Sequence, residues 1–104
     1  MNDAALSAYA ARRADALDRV RRVVIENLRV ERAPDELDPD TALFGTGLGL
    51  DSIDAVELVV ALDTTFGVEL GNDVFGRAEM RTINGLVDLV LASKSTWRTD
   101  VAPR

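Results

Sequence analysis

The stretch Gly49-Leu50-Asp51-Ser52-Ile53-Asp54-Ala55-Val56-Glu57-Leu58-Val59-Val60-Ala61-Leu62-Asp63-Thr64-Thr65-Phe66-Gly67 decides the fold. Its apolar residues recur at spacings of three and four, the period of an α-helix and not the alternation of a strand. Asp51 can cap the start, and Asp54 sits three residues on, a capping-box pair in which Asp replaces the preferred Glu or Gln. Ser52 then becomes the first helical residue. Gly67 stands where a left-handed residue ends a helix, so the spacing predicts a helix from Ser52 to Phe66.

This helix carries two apolar stripes. Ala55, Leu58, Val59, Leu62 and Phe66 form a face to be buried. Ile53, Val56 and Val60 form a second, offset around the axis, starting beside Ser52 and flanked by Asp54, Glu57 and Asp63. One reading buries both stripes in a central helix. The other leaves the second exposed as an apolar strip with an acidic rim, a surface suited to docking a protein.

Upstream, residues 3–29 read as another helix, with Leu6, Ala10, Ala14, Leu17, Val20, Val24 and Leu28 in one stripe and Arg12, Arg19, Arg22, Glu26 and Arg29 on other faces. Asp3 or Ser7 can cap its start, and the first ten residues are expected to fray. From 30 to 51 the periodicity stops at Pro34, Pro39, a run of acids and Gly45, Gly47 and Gly49. This is a long loop, pinned to the core by Leu37, Leu43, Phe44 and Leu48. Downstream the pattern is less regular, with Gly71 and Gly76 in the region where a short third helix is expected near Asp73–Glu79. A last helix starts at the Thr82 cap and runs through Ile83, Leu86, Val87, Val90 and Leu91 to about Trp97. Residues 98–104 are expected to be a disordered tail. The sum is an all-α fold, a small four-helix bundle of three main helices and a short third one, as a single domain over residues 1–97.

With 104 residues the chain has room for one core and none for a two-domain cleft. It has no Cys, which excludes disulfides and thiolate metal sites, and no His, which removes the usual general base and most zinc sites. No metal site or catalytic residue is expected. No apolar run resembles a signal peptide or a membrane span, so a soluble cytoplasmic monomer is the expectation.

The net charge of −6 is unevenly placed. Residues 1–32 hold seven Arg against five acids, residues 33–79 eleven acids against Arg77 alone, and residues 80–104 four basic residues against two acids. The acidic centre argues against nucleic acid and for a basic protein surface as partner. Gly45-Thr46-Gly47-Leu48-Gly49 lacks the Lys-Ser/Thr of a phosphate-binding loop and follows no strand. Asp35–Asp40 lacks the spacing of a calcium loop.

Ser52 is the residue with a chemical context. A hydroxyl at a helix N-terminus lies beside unpaired backbone N–H groups and the positive end of the helix dipole, where a phosphodiester is favoured. With no His and a single Lys, Lys94, modification by another enzyme is easier to account for than self-activation as a nucleophile.

The segment from Gly49 to Leu58 resembles the prosthetic-group attachment motif of acyl carrier proteins. The similarity runs on through Val59-Val60-Ala61-Leu62 to Phe66-Gly67 and back through Leu43-Phe44 to the first helix, over roughly residues 15–95. The resemblance implies a four-helix, non-catalytic domain that is inert until a phosphopantetheinyl transferase moves 4'-phosphopantetheine from coenzyme A onto a serine hydroxyl. Ser52 matches that serine, and Asp51 the acid thought to help the transferase place its metal and substrate. Ile53, Asp54, Val56, Glu57 and Val60 match recognition positions, in agreement with the second stripe.

The arm's thiol would then hold acyl groups as thioesters for acyltransferases, ketosynthases or acyl-activating ligases of fatty-acid, polyketide or related secondary pathways. In such proteins short or medium chains can also fold back between helices two and three. Two extra residues in the third-helix region, with Gly76, Arg77 and Arg81, depart from the family's usual acidic segment. Alternatives are a stand-alone aminoacyl or peptidyl carrier, a degenerate carrier fold serving as a scaffold, and a serine hydrolase. Intact Asp51-Ser52-Ile53 argues against the scaffold, and the missing base against the hydrolase.

Overall fold

Three α-helices form in a computed structural model whose described residues are 3–93: α1, Asp3–Leu28; α2, Ser52–Phe66; and α3, Ile83–Ala92. Short 3₁₀ turns occupy Pro34–Glu36, Asn72–Gly76 and Ala78–Arg81. Among the described residues there is no strand, only isolated bridges of Ala42 with Thr82 and Phe44 with Leu50. The fold is all-α. No helix among these residues is long and apolar enough to cross a membrane.

The core is aliphatic, as the sequence requires, with Phe66 its one buried aromatic side chain among the described residues. Val20 and Val24 of α1, Leu58 and Leu62 of α2, and Ile83, Leu86 and Val87 of α3 are fully buried around it. Arg19 stands 5.6 Å over the Phe66 ring at the end of α2, while Asn27 shares a groove with Glu57 and Ala61. Those pairings make α1 and α2 antiparallel. Arg13 reaches across to α3, bonding Asp88 at 2.7 Å and Asn84 at 3.3 Å.

The connection from α1 to α2 is tied down on both sides. Arg21 Nε donates to the Leu37 carbonyl at 2.9 Å, and the Leu43 N–H donates to the Arg81 carbonyl at 2.8 Å. The Asn84 N–H donates to the Pro39 carbonyl at 2.8 Å and its side chain to Asp40 at the same distance. Leu37 and Leu43 are fully buried, and Phe44 and Leu48 pack partly buried against the core, as their apolar character led one to expect.

Three sequence expectations need correcting. The short third α-helix near Asp73–Glu79 is replaced by two 3₁₀ turns, split at Arg77, whose backbone is extended at φ −88° and ψ 148°. Gly71 and Gly76 leave too few residues between them to offset helix nucleation, and one anchor per turn, Val74 and then Met80, is buried instead. Arg77 pairs with Glu79 at 2.8 Å, which holds the Glu79 carboxyl below its ordinary range. Three α-helices and these turns therefore stand where four helices were expected.

The α1 stripe is right in period and wrong in extent. Leu6, Ala10 and Ala14 are exposed, and Ala16, Val20, Val23 and Val24 are buried in its second half. Residues 3–12 are helical and exposed, extending beyond the level of Arg19 where α2 ends. Ser7 lies inside the helix and does not cap it. Finally, α3 ends at Ala92, with Ser93 extended at φ −69° and ψ 144°. The expected continuation to Trp97 and the tail 98–104 lie outside the described residues, apart from Ser93.

Candidate functional site

The start of α2 is built by its own first turn. The Asp54 N–H donates to Asp51 Oδ1 at 2.9 Å, and the Asp51 N–H donates to Asp54 Oδ2 at 3.0 Å, a reciprocal capping box made of two aspartates. Ser52, the first residue of the helix, is exposed. A helix start leaves the N–H groups of its first residues without intrahelical acceptors, and the box satisfies the third. Those of Ser52 and Ile53 therefore project beside the hydroxyl, with the helix dipole behind them. An anionic ester on Ser52 would meet N–H donors at the place where it is attached.

The preceding loop holds this turn in place. The Leu50 N–H donates to the Leu43 carbonyl at 3.0 Å and the Leu48 N–H to the Ala42 carbonyl at 2.9 Å. A Cβ at position 47 would overlap the Ala42 carbonyl, so the loop can close this tightly only with Gly47. At the other end, Gly67 adopts φ 67° and its N–H donates to the Asp63 carbonyl at 2.9 Å. Both ends of α2 thus follow the chemistry read from the sequence.

The two stripes separate in space. Ala55, Leu58, Val59, Leu62 and Phe66 are all buried. Ile53, Val56 and Val60 are 70%, 53% and 58% exposed. Asp54 is half-buried and Glu57 exposed beside them. Ser52, Ile53, Asp54, Val56, Glu57 and Val60 therefore share one accessible face, and the reading that buried both stripes is excluded.

The sequence did not show what lies next to Ser52. Phe44, Leu50, Ala55, Val56 and Phe75 join Asp51 and Ser52 in lining an apolar groove of about 400 Å³. Phe75, 40% exposed, comes from the 3₁₀ turn Asn72–Gly76. The available signal was that a chain with three Phe spends two of them on loops, flanked by Gly45 and Gly76. A second groove of about 220 Å³ continues along α2 past Phe75, between Val60, Asp63 and Asn72. A third, of about 450 Å³, lies on the other flank of Val56 and Val60, against Asn27 and Thr64. Among the described residues no cluster of acids is placed to hold a metal ion.

The Ser52 hydroxyl thus stands exposed at a capped helix start, beside an apolar groove and an exposed apolar strip. A family model for the phosphopantetheine attachment site matches residues 18–90. The chain belongs to that family, and is a carrier protein that takes 4'-phosphopantetheine covalently on a serine. Carrier domains of this kind are in general non-catalytic, are modified by a phosphopantetheinyl transferase and interact with biosynthetic enzymes. Between residues 18 and 90 the sequence contains one serine, Ser52.

Proposed function

We propose that Ser52 bears the arm and that the protein carries acyl groups as thioesters on its terminal thiol, in fatty-acid, polyketide or related secondary-metabolite biosynthesis. The observation that carries this reading is that the only serine in the family-matched stretch is the exposed first residue of a capped helix. Asp51 would help the transferase to place its metal and substrate, and Ile53, Asp54, Val56, Glu57 and Val60 would form the face that partners grip. Acyltransferases, ketosynthases or acyl-activating ligases would then load and unload the thiol. In this reading residues 1–97 act as one carrier domain, with the two 3₁₀ turns in the place of the fold's short third helix.

The test is incubation with coenzyme A and a broad-specificity phosphopantetheinyl transferase, read by intact mass. Wild type should gain one arm and Ser52→Ala none. An unchanged mass in wild type, or an equal gain in the variant, would overturn the assignment.

A further inference from the structure

The apolar surface within reach of Ser52 is divided. The groove that begins at Ser52 and the second groove along α2 share Val56 and Phe75 in their linings, so the Phe75 ring and Val56 form the wall between them. Below this wall the floor is core-facing, with buried Ala55 lining the first groove and buried Val59 the second. The backbone that presents the ring is anchored: Val74 is 2% exposed, and the Arg77 N–H closes the turn onto the Val74 carbonyl at 3.0 Å. Val60, in the second groove, lies eight residues past Ser52, about 12 Å along the helix axis at about 1.5 Å per residue.

We infer that Phe75 is a specificity-determining residue: its ring limits the length of apolar acyl group that this carrier shields from water. The inference rests on Ser52 being the attachment serine. An apolar group tethered at Ser52 gains by leaving water for the nearest apolar wall. It can do so until it meets the ring, beyond which further carbons must turn out to solvent. Removing the ring joins the two grooves into one longer channel along Val56 and Val60. A larger ring shortens the first groove.

The experiment loads wild type, Phe75→Ala and Phe75→Trp with a series of straight-chain acyl-pantetheine arms of rising length, each verified by intact mass. The rate of thioester cleavage by hydroxylamine is then measured. In wild type each added carbon covered by the groove should slow cleavage by roughly twofold to fourfold, and the rate should level off once the groove is full. The levelling point should move to longer chains in Phe75→Ala and to shorter ones in Phe75→Trp. Levelling at the same length in all three proteins, or no dependence on length in wild type, would overturn the role of Phe75 while leaving Ser52 intact. Failure of the arm to load on wild type would overturn the Ser52 assignment, and this inference with it.

Discussion

At Arg29 the backbone takes φ 57°, the one described non-glycine residue in the left-handed region, just after α1 ends at Leu28. The turn closes with the Val30 N–H donating to the Ile25 carbonyl at 3.2 Å, an arrangement normally given to glycine because a Cβ is strained there. Arg29→Gly should therefore stabilise the fold by about 0.5–1 kcal/mol, read from urea midpoints at unchanged slope. An equal loss would mean that the arginine side chain contributes more than its backbone costs. Asp51 allows a sharper separation, because it both caps α2 and stands next to Ser52. Asp51→Ala should cost about 1 kcal/mol, the usual loss for an N-cap. Asp51→Ser should keep most of that stability. If the carboxylate serves the transferase, both variants should accept the arm slowly, although only one of them is less stable. Slow modification that follows stability alone would leave Asp51 as a cap and nothing more.

Helix α2 makes the contrast between its faces measurable. Leu58 is fully buried, so Leu58→Ala should cost about 2–5 kcal/mol, as for other truncated core aliphatics. Val56 is 53% exposed, and Val56→Ala should fall within about 0.5 kcal/mol of wild type. Val56→Lys, by contrast, should leave the melt almost unchanged and impair transfer of the arm, since it sets a cation in the apolar strip. Equal destabilisation by Leu58→Ala and Val56→Ala would refute the assignment of faces. This helix was legible in the sequence because every cue was local: the aspartate pair, the glycine stop and two stripes at fixed angles. The third helix was misread because the short stretch Asp73–Glu79, interrupted by Gly76, satisfies a helical spacing without being long enough to sustain it. On α1 the stripe continues through Leu6, yet periodicity does not register where the neighbouring helix stops. The groove beside Ser52 was hidden for another reason. Phe44 and Phe75 line one groove although they lie far apart in sequence, and long-range backbone bonds such as Leu43 to Arg81 hold the connecting segments in place.

At the scale of the whole molecule, charge is segregated along the chain, and the face around Ser52 belongs to its acidic part. Residues 33–79 hold eleven acids against one Arg, and α2 itself contributes Asp54, Glu57 and Asp63 with no cation. The arginines of α1 are on other duties: Arg13 bonds Asp88, Arg21 holds Leu37, and Arg22 pairs with Asp18 at 2.9 Å. If Ser52 bears the arm as proposed, an enzyme acting there would meet a negative field next to apolar side chains, an arrangement that speeds and orients the approach of a basic surface more than it tightens the final complex. Glu57 is exposed and makes no side-chain hydrogen bond among the described residues, so Glu57→Lys is the cleanest probe. The transfer rate to Ser52 under kcat/KM conditions should fall at low salt and approach that of wild type as salt is raised, because charges exposed to solvent are screened beyond about 8–10 Å at physiological ionic strength. Asp54→Lys should show the same salt dependence plus a stability loss of about 1 kcal/mol, since it also breaks the capping box. A Glu57→Lys defect that persists undiminished at high salt would mean that the residue makes a close contact in the complex, and that the field of the acidic segment is not what brings the partner in.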